Sequence, residues 1–191
     1  MQEPDPDRLR EAYALMGREP AVVLPELNEL AERGSVDALV YLGHMYQEGL
    51  GTEADSGTAK DYFKRARDAG SVEGAYRLGR LYVDAADFQK AEDAFAIGVE
   101  RNHLPSIYWM ARILESSEGD ACKQDLARSL YRIASKKGHY FARKRLIALL
   151  IRRTSGMSDN IRAILMAIRF YAISPWIFWL MMTREWDDRL R

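Results

Sequence analysis

Cysteine occurs once in the 191 residues, as Cys122, so no disulfide can close within the chain. That excludes a disulfide-stapled secreted scaffold and points to a reducing, cytoplasmic setting for the folded part. A surplus of either charge is also missing: 28 basic residues face 28 acidic ones. A nucleic-acid binder working through bulk electrostatics needs a basic excess, so no nucleic-acid partner is expected. Histidine is scarce. His44, His103 and His139 have no cysteine or carboxylate at metal-ligand spacing, so no metal is expected. Cys122 has no histidine near it in sequence and reads as an inert thiol. Gly49-Leu50-Gly51 joins two helical patterns and is not a phosphate-cradling loop. Glu185, Asp187 and Asp188 sit in a tail with three arginines. With nothing placed for catalysis, no enzyme activity, no cofactor and no small-molecule substrate are expected. Met1 to Asp7 is acidic and broken by proline, without the basic and apolar regions of a secretory signal.

The chain does have recurrence. Asp37-Ala38-Leu39-Val40-Tyr41-Leu42-Gly43-His44-Met45-Tyr46 returns as Gly74-Ala75-Tyr76-Arg77-Leu78-Gly79-Arg80-Leu81-Tyr82. It returns again as Ser106-Ile107-Tyr108-Trp109-Met110-Ala111-Arg112-Ile113-Leu114, and a fourth time from Ala142. The steps between Ala38, Gly74, Ser106 and Ala142 are 36, 32 and 36 residues. A second pattern runs in phase: Ala59, Tyr62-Phe63, Ala66 and Gly70; then Ala91, Ala94-Phe95, Gly98 and Asn102; then Ala127, Leu130-Tyr131, Ala134 and Gly138. A worn copy stands at Val23, Leu27, Leu30 and Gly34. Each unit therefore reads as two helices, A and B, with a glycine or asparagine where a left-handed cap would end helix B.

These boundaries follow: a disordered lead over 1–7; an N-terminal cap repeat over 8–34, with Pro25 near the first turn of its second helix; repeats over 35–70, 71–102 and 103–138; and a half repeat over 139–153. The fold class is all-α. It is an α/α superhelical solenoid of about three complete helix-turn-helix repeats, with N-terminal cap helices and a C-terminal hydrophobic helix.

Ala38…Leu42-Gly43-His44-Met45-Tyr46-Gln47-Glu48-Gly49-Leu50-Gly51, followed by Asp55…Ala59…Tyr62-Phe63-Lys64-Arg65-Ala66…Ala69-Gly70, resembles the Sel-one-like repeats, relatives of the tetratricopeptide repeats. Repeat two keeps Leu78-Gly79 and Tyr82 but lacks the Gly-x-Gly loop, and repeat three has Met110-Ala111 in place of Leu-Gly. The resemblance covers roughly residues 8–150. It implies a protein-binding scaffold without family-wide catalytic residues, in which helix A lines a concave groove.

Counting from Ala38, positions +1, +4, +5, +7 and +8 of helix A are apolar or small and share one face. Positions +3, +6 and +10 lie opposite and diverge: Tyr41, His44, Gln47; Arg77, Arg80, Val83; Trp109, Arg112, Glu115; Arg145, Ala148, Ile151. Tyrosine, tryptophan and arginine are enriched at binding hot spots. Tyr41, His44, Arg77, Arg80, Trp109, Arg112 and Arg145 are the expected partner-binding ladder. Trp109 with Arg77 and Arg112 reads as a pocket for an acidic or C-terminal peptide segment of a protein partner. The bland alternative is solvated arginines and a Trp109 packed on the next repeat.

The last stretch differs from the rest. Ile161 to Thr183 carries only Arg162 and Arg169 as charges, and Phe170 to Thr183 carries none. A hydrophobic membrane-associated or docking helix is expected over 158–183, followed by a tail over 184–191. Phe170, Tyr171, Trp176, Ile177, Phe178, Trp179 and Leu180 are its expected contact residues. Three readings stand: a transmembrane anchor, an interfacial helix broken at Pro175, or a cap over the last repeat. The first two place the repeats at the cytosolic face of a membrane.

Overall fold

The computed structural model describes residues 3–117, 119–152 and Leu165. Among the described residues there are nine helices and no strand, so the fold is all-α. The chain divides into two compact units, 1–101 and 102–191. The first holds α1 (Pro6–Leu15), α2 (Pro20–Glu32), α3 (Val36–Glu48), α4 (Ser56–Asp68), α5 (Val72–Asp84) and α6 (Phe88–Glu100). The second holds α7 (Leu104–Ser116), α8 (Ala121–Lys136) and α9 (Tyr140–Arg152).

Short turns set the repeat period. The residue that ends each B helix takes positive φ: Gly34 at +93°, Gly70 at +88°, Asn102 at +59° and Gly138 at +92°. Glycine adopts this conformation without a Cβ penalty, and asparagine tolerates it. The next residue turns its N–H back onto the helix just left: Ser35 to the Leu30 carbonyl at 3.0 Å, Ser71 to Ala66 at 2.9 Å, His139 to Ala134 at 3.0 Å. The same residue then caps the following A helix. Ser35 Oγ accepts from the Ala38 N–H at 3.1 Å and Ser71 Oγ from Gly74 at 3.0 Å. Every B helix from α4 onward opens on an aspartate cap: Asp55, Asp87 and Asp120.

Each hairpin from α3–α4 onward closes on an aromatic ring. In the first unit Phe63 of α4 and Phe95 of α6 are fully buried. A Cβ built on Gly43 would lie 2.5 Å from the Phe63 ring, and one on Gly79 would lie 2.6 Å from Phe95. The Leu-Gly pair of helix A is thus a socket: glycine admits the ring, and Leu42 and Leu78 fill the space beside it. Successive hairpins meet as closely, since a Cβ on Gly74 would lie 2.6 Å from that of Ala66. In the second unit Tyr131 takes the ring position and is also fully buried, as is Ala111 in the place of the glycine.

The N-terminal segment departs from expectation. Helix α1 begins at Pro6, inside the stretch expected to be a disordered lead; its cap is Asp5, which with Asp7 is one of the two aspartates the sequence offers for that place. Glu3 accepts from Ser35 Oγ at 2.5 Å and from the Asp37 N–H at 3.3 Å. The start of α3 has unsatisfied N–H groups and the positive end of a helix dipole, and Glu3 answers both. Arg8 fixes α1 to α2, with Nε 2.6 Å from Glu26 and the two terminal nitrogens 3.0 and 3.1 Å from Glu29. Pro25 lies inside α2 rather than in its first turn, because that helix already starts at Pro20. Its missing N–H leaves the Ala21 carbonyl without the usual helical donor.

Among the described residues no helix is long and apolar enough to cross a membrane. The hydrophobic helix expected over 158–183 lies outside them except for Leu165, which is helical and exposed.

Candidate interaction surface

In the first unit the ladder residues come from α3 and α5. Tyr41 is half-buried and packs in a tilted arrangement on Tyr13 of α1, with ring centroids 5.1 Å apart; Tyr13 is itself 57% exposed. Burial holds the Tyr41 phenol above its ordinary value, and the charge of Asp37 reinforces it, followed by Tyr13, Glu3 and Glu73. The Asp37 carboxyl is likewise raised, by burial first and then by Glu3 and Glu73. This end of the surface is negative. Arg77 does not offset it freely, because its Nε donates to Glu73 Oε1 one turn back at 2.7 Å. Arg80 donates to the Tyr76 hydroxyl at 3.3 Å. His44 is half-buried on α3.

In the second unit the ladder residues come from α7 and α9. The Arg112 guanidinium lies 4.6 Å from the centroid of the Trp109 ring, in cation–π geometry, and Arg112 is exposed. Trp109 is half-buried and meets Tyr108 edge-on at 6.0 Å. Among the described residues no carboxylate pairs with Arg112, so its donors face outward over an aromatic plate. Arg145 is arranged differently. Its Nε donates to both Glu115 oxygens, at 2.9 and 2.7 Å, and the Tyr131 hydroxyl donates to the same carboxylate at 2.9 Å. The Glu115 side chain is only 13% exposed. Burial pushes the Tyr131 phenol far above its ordinary range, and the bonded Glu115 pushes it further. Arg145 thus ties α9 to α7 and α8.

His139 plays a part that reading along the chain misses. It is a buried cap, not an ordinary loop residue: Nδ1 accepts from the Ala142 N–H at 3.1 Å, and the ring stacks on Tyr108 at 4.9 Å. The signal was its phase, since Ser35, Ser71, His103 and His139 repeat at steps of 36, 32 and 36. His103 sits at the matching place before α7, with Nδ1 2.9 Å from Ser106 Oγ. No three His, Cys, Asp or Glu side chains converge on a metal-sized site among the described residues. The expected docking residues Phe170, Tyr171, Trp176, Ile177, Phe178, Trp179 and Leu180 lie outside the described residues.

Paired helices, left-handed B-helix caps and ring-accepting glycines together define a helical-repeat solenoid class. Within it, residues 36–71 and 104–139 each match the Sel1 repeat family model. Solved structures with this fold include a protective antigen present in uropathogenic Escherichia coli strains, which displays an SLR fold. It matches with a TM-score of 0.75 and 19% identity over 86% of this chain. The chain spans 37% of that antigen. A Sel1 repeat protein from Oxalobacter formigenes matches with a TM-score of 0.73 and 16% identity, over 87% of this chain and 73% of that one. Likeness at these identities concerns the fold. No curated protein gives a significant sequence match.

Proposed function

We propose that the chain is a non-enzymatic protein-interaction scaffold, and that its second unit offers the Trp109–Arg112 pair to a carboxylate on a protein partner. Sel1-repeat folds generally serve as interaction scaffolds, which supports the class. The carrying observation for the site is the exposed guanidinium on the Trp109 ring at 4.6 Å, without a carboxylate of its own among the described residues. Stacking holds the planar fork in place, so less side-chain entropy is lost when it grips a carboxylate. Arg77 and Arg145 are already paired with Glu73 and Glu115, and so offer less. An acidic side chain or a peptide C-terminus presents the matching group.

The test uses acidic peptides made with either a free or an amidated C-terminus, titrated by fluorescence anisotropy. Arg112→Ala or Trp109→Ala is expected to weaken binding of the free-carboxylate peptides roughly tenfold or more without loss of helicity. Equal binding by wild type and both variants would sink the site.

The finer reading adds a tether: Ala163 to Thr183 is 21 residues, close to the ~20 that span a bilayer, which supports placing the repeats at the cytosolic face of a membrane. The alternative is a subunit of a larger complex whose apolar C-terminal stretch docks on protein rather than lipid.

A further inference from the structure

The caps of the A helices differ in chemistry between the two units. Ser35 and Ser71 hold the starts of α3 and α5 with hydroxyls, which accept a hydrogen bond at any ordinary pH. His139 does the same work for α9 with an imidazole nitrogen. Nδ1 can accept from the Ala142 N–H only while it has no proton, so the ring must be the neutral tautomer with its proton on Nε2. That Nε2 is buried, and among the described residues it has no hydrogen-bond partner. The residue as a whole is 4% exposed.

Protonation of this ring has three costs. The cap acceptor becomes a donor facing another donor. A positive charge appears at the positive end of the α9 dipole. A cation is created on a side chain that is almost fully buried and whose Nε2 has no hydrogen-bond partner among the described residues. The groups around it do not compensate. Tyr108 of α7 stacks on the ring at 4.9 Å and Phe141 of α9 lies at 6.3 Å, and Tyr108 in turn packs on Tyr131 of α8. Of the charged groups on the elements packed here, Glu115 of α7 and Arg145 of α9 are bonded to each other, and Glu115 also accepts from Tyr131 of α8. Burial alone lowers the His139 pKa; no neighbouring charge contributes.

We propose that His139 is an acid-sensitive latch for α9, whose protonation breaks the cap and loosens that helix from the α7–α8 hairpin. Above the ordinary histidine value near 6.5 the folded and unfolded rings are both neutral, and the cap contributes fully. As pH falls below that value the unfolded ring takes the proton first. Stability then declines until the depressed folded value is passed. The latch sits beside the proposed binding pair, because Tyr108 contacts both His139 and Trp109.

Amide hydrogen exchange on the full chain tests this, with the His139 ring followed by NMR. As the pH falls from about 7.5 to 5.5, α9 protection in wild type should drop by up to about tenfold, the loss approaching tenfold per pH unit between the ordinary histidine value and the lower folded one. His139→Ser puts in the residue used at Ser35 and Ser71, so it keeps a cap and removes the titration; its α9 protection should stay level. PH-independent protection of α9 in wild type would overturn the proposal, as would the same fall in His139→Ser. If His139→Ser does not fold, a wild-type ring that titrates at or above its ordinary value overturns it alone.

Discussion

The strictest residues are the small ones, since they fail by geometry. Gly43 and Gly17 make the contrast. A Cβ on Gly43 would stand 2.5 Å from the rim of the Phe63 ring, which is fully buried and has no room to withdraw. A Cβ on Gly17 would meet nothing within 4 Å, and that backbone is not left-handed. Gly43→Ala is therefore expected to cost about 1–3 kcal/mol through overpacking. Gly17→Ala should be neutral or slightly stabilising, by up to about 1 kcal/mol, because it restricts the unfolded chain. Urea unfolding of both variants checks the pair. If Gly43→Ala is as stable as wild type, the socket account of the Leu-Gly motif fails. The motif itself was legible in the sequence, and so was the aromatic 20 residues on, but why glycine is needed became clear only from the ring standing over it. Arg145 shows the opposite case. Its partner Glu115 is 30 residues away, and no local pattern announces a pair that distant. Glu73 and Arg77, one turn apart on α5, were readable as a pair, but Arg77 was placed in the ladder without its partner.

At the scale of the helix, termini decide more than interiors. The all-α repeat fold was legible because the left-handed residues and the caps recur in phase: Gly34, Gly70, Asn102 and Gly138 end the B helices, and Ser35 and Ser71 open the A helices. Where chemistry varies at a fixed phase, as with His139, the pattern hid the function of the position. The two serines are not equivalent either. Ser71 Oγ accepts one bond from Gly74, whereas Ser35 is buried, accepts from Ala38 and donates to Glu3. Ser71→Ala should cost about 1 kcal/mol, the usual worth of a hydroxyl cap. Ser35→Ala should cost more, because it also takes one of its two donors from the half-buried Glu3 carboxylate. Thermal unfolding of the two variants ranks them, and equal losses would mean that Glu3 adds nothing to the start of α3. The N-terminal segment escaped sequence reading for this reason: its proline-broken, acidic composition resembles a disordered lead, and its anchor is a hydroxyl 32 residues away.

At the scale of the whole molecule, the balance of 28 basic and 28 acidic residues conceals a chain whose ends differ. The N-terminal third is acidic, and residues 143–169 are basic. From Ile161 the sequence turns apolar. A run of this kind is not left in water without a cover, since large exposed apolar patches bind something. Lipid, a protein partner and the last repeat itself are the three covers. Arg169 argues against deep burial in lipid, because an arginine at the bilayer centre costs about 2.5–3.5 kcal/mol on insertion scales. Pro175 argues against one unbroken helix. Trp176, Trp179 and Trp186 argue for an interface, where indole rings settle. Fractionation of the full-length chain beside a version stopped at Ser155, each washed with alkaline carbonate, separates these covers. The shorter version keeps α9 whole, since that helix ends at Arg152. The expected outcome is a full-length chain held in the membrane pellet and a soluble truncation of equal helicity per residue. A soluble full-length chain would remove the tether and leave the scaffold reading standing, with its apolar stretch covered by protein. A truncation that loses helicity in the second unit would instead identify that stretch as the cover of the last repeat, because only an internal contact makes α9 depend on residues beyond Ser155.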